Sequence, residues 1–185
     1  MQMTRVPVDH TLGQLLGSQI AGVFGLVFVS VNSAGLSPAV RTALIVLAGL
    51  ALLTILVLSV RVYRRRPGPT GGVRRSLFGW KYWLVVAIEA VALFAGTRIL
   101  TDLGHPELGV AWVAVVVGTH FFALARIFGL ARFHVLGATI TTCGLAGFVL
   151  RMLGEVDPIA VVSGVVSGFV LLAFGLWAFA PERRS

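Results

Sequence analysis

The sequence predicts an all-α integral membrane protein: a bundle of about six transmembrane helices, arranged as three hairpins and forming a single domain over 1–185. Three observations predict it. Of the 185 residues, 57% are hydrophobic and only 12% charged, about half the charge of an ordinary soluble domain. The charges are clumped, and between the clumps run stretches of about 20 apolar residues, the length a helix needs to cross the hydrocarbon core. The ten-residue alternation of membrane barrel strands is absent.

Taken in order, the spans are expected near 14–32, 42–62, 82–101, 108–128, 134–153 and 158–180. The first is diluted at its start by Gln14, Ser18 and Gln19. A cleavable signal peptide is the competing reading of that segment, but Arg5 is accompanied by Asp9 and His10, and no convincing small-x-small cleavage site follows. The second and sixth spans are uninterrupted. Between the second and third lies a basic loop, 61–81, whose centre, Pro67-Gly68-Pro69-Thr70-Gly71-Gly72, is a cluster of helix breakers. The third span carries Glu89 and Arg98, and the fourth carries His120 and Arg126. The fifth holds Cys143, the single cysteine, which has no partner for a disulfide or a cysteine metal site and reads as a small packing residue.

The formal net charge of +8 does not point to nucleic acid, because no aromatic-interleaved basic motif accompanies it. Its location points to topology. Seven of the fifteen Lys and Arg residues lie between the second and third spans: Arg61, Arg64, Arg65, Arg66, Arg74, Arg75 and Lys81. Arg132 lies in the fourth–fifth connection, with Arg126 at its edge, and Arg183 and Arg184 end the sequence. Two of the alternate connections are acidic, with Asp102 and Glu107 in one and Glu155 and Asp157 in the other. Positive charge marks the cytoplasmic side, so both termini are expected there, in a bacterial cytoplasmic (inner) membrane. The ratio of fourteen Arg to one Lys is in keeping with a GC-rich bacterial genome. The expected partners are the bilayer and its anionic lipid headgroups, contacted by Arg64, Arg65, Arg66, Arg74 and Arg75. The plainer role of those arginines is to set orientation alone.

Two of the outward connections resemble one another. Arg98-Ile-Leu-Thr-Asp102 leads to Pro106, and Arg151-Met-Leu-Gly-Glu155 leads to Pro158. In each, an Arg precedes an acid by four residues, a helical pairing distance, and a Pro opens the next helix. The pattern predicts an Arg98–Asp102 pair and an Arg151–Glu155 pair, and with them a parallel helix-hairpin repeat. Small residues mark close helix contacts: Gly164 and Gly168 on the sixth span, with Gly175 on the same side, and Gly13 and Gly17 on the first. The pattern alone does not separate contacts within one chain from a homo-oligomer through Gly164 and Gly168.

Buried charge is the strongest functional signal. An ionisable group at the centre of a span costs about 2.5–3.5 kcal/mol on insertion scales, so it faces protein or water. Counting along two antiparallel helices from His105, Glu89 lies about 16 residues before and His120 about 15 after, so the two are nearly level, with Arg126 about 8 Å deeper. Trp112, Thr119, Ala123, Arg126 and His120 fall within an arc of about 120°, and Tyr82 and Gly96 flank Glu89. The candidate intramembrane polar site is therefore Glu89, His120, Arg126, Thr119 and Tyr82. Its functional role is a proton-responsive or anion-holding pocket, and its structural role is a satisfied network that fixes helix packing. Asp102, His105 and Glu107 offer metal-ligand types, but in an exposed connection they are expected to be solvated. No metal and no cofactor are expected.

The segment Gly118-Thr-His-Phe-Phe-Ala-Leu-Ala-Arg-Ile-Phe128 resembles the G-x-H-F-x-P-L-A-R-x-F segment of an uncharacterised family of small bacterial multi-pass membrane proteins, over about 106–137. Ala123 stands where that pattern has Pro, so the kink a proline causes is not expected. The resemblance implies no activity and points to His120 and Arg126. Nucleophile-elbow, zincin and phosphate-loop motifs are absent. The expected function is transport or permeation of a small solute or ion through the polar face between the third and fourth spans. The alternative is a non-transporting scaffold or accessory subunit.

Overall fold

A computed structural model describes residues 10–64 and 79–180, and among these every regular element is helical. Six helices are long and apolar enough to cross a membrane. They are α1 (His10–Asn32), α2 (Pro38–Arg64), α3 (Trp80–Asp102), α4 (Gly109–Phe128), α5 (Arg132–Met152) and α6 (Asp157–Trp177). A single 3₁₀ turn, Pro106–Leu108, leads into α4. The helices begin and end within a few residues of the apolar runs that predict them, because the length of each run is what defines it. The basic loop is outside the described residues from 65 to 78.

The packing follows the order α2, α1, α6, α5, α4, α3. The fourth and fifth helices make the most extensive interface and α1 with α6 the next. The last helix is central, packed by α1, α2, α4 and α5, and half of it is buried. At the far edge α3 rests mainly on α4, and no residue of Tyr82–Asp102 is fully buried. Three apolar clusters fill the bundle. Ala21, Ala114, Leu136, Ile140 and Leu171 lie at its centre, and Val29, Ala48, Ile55, Val165 and Leu172 lie toward α2. Leu108, Ala111 and Ile159 close the end where the 3₁₀ turn sits. Phe121, Phe133 and Phe174 form a row across α4, α5 and α6, with centroids 5.9 and 5.5 Å apart.

Glycine sets the helix spacing. A side chain on Gly118 of α4 would run into Thr141 and the Gly137 carbonyl of α5, and one on Gly144 would meet the backbone of Ala111 and Val115. On the other side of the bundle Gly168 of α6 faces the backbone of Gly25 and Val29, and Gly164 faces Asn32, both on α1. Gly164 and Gly168 thus serve contacts within the chain, because α1 lies directly against them.

The middle of α6 departs from α-helical winding. Ala160–Val166 is π-helical, continuing as α-helix at Ser167. Within it Ser163, fully buried, donates its hydroxyl to the Cys143 carbonyl of α5 at 2.9 Å. No pattern in the apolar run anticipates this segment.

The resemblance between the two connections also needs correction. Both α3 and α5 end in a left-handed glycine, Gly104 (φ 82°) and Gly154 (φ 85°). The next N–H in each closes back five residues, His105 to the Leu100 carbonyl at 2.8 Å and Glu155 to the Leu150 carbonyl at 2.9 Å, a helix-terminating turn that glycine adopts without steric penalty. Asp102 precedes its glycine, still on the last helical turn, and pairs with Arg98 at 3.2 Å as expected. Glu155 follows its own glycine, where the chain has already left the helix, and the predicted Arg151–Glu155 pair does not form. Arg151 instead donates from Nε to Glu107 Oε1 at 2.8 Å, across to the 3₁₀ turn before α4.

Replacing Gly118 with Val is expected to lower stability by about 1–3 kcal/mol, the usual cost of overpacking. Gly49 meets nothing within 4 Å, so Gly49→Val serves as the matched control and should change stability by less than about 1 kcal/mol. Thermal unfolding in detergent, followed by loss of helical circular dichroism, reads both; equal midpoints for the two variants would contradict the close-packed α4–α5 interface.

Candidate functional site

The seam between α3 and α4 holds the ionisable pair. Near its 3₁₀ end the two helices are pinned by Trp112 of α4, whose indole Nε1 donates to the Ala92 carbonyl of α3 at 2.9 Å. Gly96 makes this possible, since a side chain there would occupy the space of the indole ring. Two turns further along α4, His120 meets Glu89 of α3, with Nδ1 3.1 Å from Oε2. The side chains are only 10% and 20% exposed respectively, so neither is solvated as a free charge would be. The ring nitrogen makes no aligned hydrogen bond: the carboxylate oxygen sits within ion-pair distance but off the N–H direction. The contact is thus governed by charge and proximity, and depends on the protonation of both partners.

Two other members of the predicted site, Arg126 and Thr119, turn away from this pair. Arg126, on the same helix, ends exposed and makes no ion pair with a described residue. Thr119 is exposed and turns its hydroxyl back to the Val116 carbonyl of its own helix at 2.9 Å, a common way for a helical Thr to satisfy itself. Tyr82 is half-buried and lies edge-on to Trp83, 5.5 Å between centroids. The arc containing Thr119, His120 and Arg126 is therefore split: its His120 edge turns into the α3 seam, while Thr119 and Arg126 lie on the open surface beside it. Of the arginines expected to contact lipid, Arg64 is the exposed last residue of α2; Arg65, Arg66, Arg74 and Arg75 lie outside the described residues.

At the opposite, acid-bearing end a second polar group forms that sequence spacing did not anticipate. Glu107 receives Arg151 and also lies 3.3 Å from His105 Nδ1, which is 3.3 Å from Arg151 Nη2. One ring nitrogen cannot donate to the carboxylate and accept from the guanidinium at once, so the tautomer of His105 selects between those two bonds. The arrangement ties the α3–α4 connection to the end of α5. Because its members lie 44 and 46 residues apart, only their types and the shared acidic end of the bundle were visible beforehand. Among the described residues no group of three His, Cys, Asp or Glu side chains is placed to hold a metal ion. No protein-family model, curated protein or solved structure matches this chain.

A double-mutant cycle with Arg151→Gln and Glu107→Gln should show the two substitutions to be non-additive, the second costing little once the first is made. Glu155→Gln should change stability by less than about 0.5 kcal/mol. Coupling of Arg151 to Glu155 rather than to Glu107, read from detergent unfolding midpoints, would reverse the assignment.

Proposed function

We infer that this chain is a six-span protein of a bacterial cytoplasmic membrane, three hairpins with both termini cytoplasmic, that moves protons or a small ion along the α3–α4 seam. The observation carrying this reading is the Glu89–His120 contact, two ionisable side chains meeting inside helices apolar enough to span the bilayer. Such groups are costly in lipid and mark ion or proton pathways when they are kept. The position of α3 supports the same reading. Resting mainly on α4, it can shift without disturbing the α1–α6–α5–α4 core. Protonation of Glu89 removes one charge of the pair and weakens the attraction that holds the seam closed. Basic Arg61, Arg64, Arg126 and Arg132 at one end, and Asp102, Glu107, Glu155 and Asp157 at the other, support the orientation.

A second reading is favoured by a specific observation. Among the described residues, one surface depression is lined by α2 and another by α2 with the α1–α2 connection, and neither reaches Glu89 or His120. In a scaffold or accessory subunit the pair would serve only to hold α3 in place.

Proteoliposomes distinguish the two. With an entrapped pH indicator and a valinomycin-imposed potassium diffusion potential, the chain should carry protons faster than protein-free vesicles. Glu89→Gln and His120→Ala should each reduce that rate by about tenfold or more. Wild-type flux that persists unchanged in both variants removes the pair from any pathway; absence of wild-type flux, with normal insertion, favours the scaffold.

A further inference from the structure

We propose that α2 carries a binding site for an anionic phospholipid in the leaflet at the basic end of the bundle. A depression of about 270 Å³ is lined by Leu56, Val57, Val60, Arg61 and Arg64. At 100° per residue these five share one face of the helix, an arc of about 140°. The residues that α2 buries against α1 and α6 are Ala48, Ile55 and Ser59, which centre on the opposite face. The depression therefore points away from the bundle.

Its chemistry changes along the helix. Leu56, Val57 and Val60 are 40–51% exposed apolar side chains, and one further turn brings the two guanidinium groups of Arg61 and Arg64. An apolar groove ending in paired cations matches an acyl chain continuing into a phosphate headgroup, with guanidinium supplying a planar fork of donors to the phosphate oxygens. Neither arginine makes an ion pair with a described residue, so both are available.

Charge also argues against a second copy of the chain as occupant. Asp102, Glu107, Glu155 and Asp157 lie at the other end of the bundle, and Glu89 is engaged by His120. The remaining acids, Asp9 and Glu182, each have arginine close by in sequence: Arg5 for one, Arg183 and Arg184 for the other. A parallel neighbour thus brings no surplus of carboxylate to Arg61 and Arg64. The depression at the other end of α2, with Ala34, Leu36, Pro38, Thr42 and Ile45, has a single cation, Arg41, and is the internal comparison.

The inference rests on the chain being a membrane protein, and native mass spectrometry of the full chain in mild detergent tests it. Offered equal phosphatidylglycerol and phosphatidylcholine, the wild type should retain phosphatidylglycerol at about a fivefold excess. Arg61→Gln with Arg64→Gln should bring the ratio to about one, Arg61→Lys with Arg64→Lys should keep a preference, and Arg41→Gln should leave it unchanged. Equal retention by the wild type overturns the proposal whatever the variants do. So does a preference that survives the double Gln substitution, or displacement of the lipid by millimolar inorganic phosphate, which would make the ligand a free anion. Wild-type chain that stays dispersed without detergent would instead refute the membrane reading itself.

Discussion

Close approach of helix backbones is the constraint on which the rest of this bundle depends. Where the surroundings of a helix are as apolar as its own side chains, packing has to come from van der Waals contact and a few polar bonds. Gly118 against Thr141 and Gly137, Gly144 against Ala111, and Gly168 against Gly25 bring α4 to α5 and α6 to α1 at backbone contact. These seams build the core of four helices. The two that lack comparable glycine seams on both sides, α2 and α3, lie at its edges.

The edge position gives each of these helices its character. One face of α3 is held by the Trp112–Ala92 hydrogen bond and by the Glu89–His120 pair, and the rest presents Trp83, Leu84, Ile88, Val91 and Phe94 outward. The ionisable pair thus sits at the seam of a peripheral helix, away from the centre of the bundle. The outer face of α2 grades from aliphatic to cationic along its last three turns. At the acidic end, the His105–Glu107–Arg151 group fastens the α3–α4 connection to α5, and further along the phenylalanine row joins α4, α5 and α6.

Local features were legible in the sequence. The six helices were, because an apolar run of bilayer length has few other solutions. The Arg98–Asp102 pair was, because both lie on one helical turn. The levelling of Glu89 with His120 came from counting a fixed rise along two antiparallel helices. A change of backbone direction hides contacts from sequence spacing. Arg151 and Glu155 have the same spacing as Arg98 and Asp102, yet Gly154 turns the chain before the acid is reached. Arg126 and Thr119 share an arc with His120, but helix rotation leaves them on its outer side. The π-helical stretch of α6 left no trace in a pattern of Ala, Val, Ser and Gly.

Hydropathy and charge counted along the chain are enough to place the six described helices and to say which end of the bundle is basic. Tertiary structure alone decided the partners: which glycine meets which backbone, that Arg151 belongs to Glu107, and that His120 turns into the seam while Arg126 does not. The reason is geometric. Apolar run length is a one-dimensional quantity, whereas contact depends on the rotation of each helix about its axis and on which neighbour approaches it.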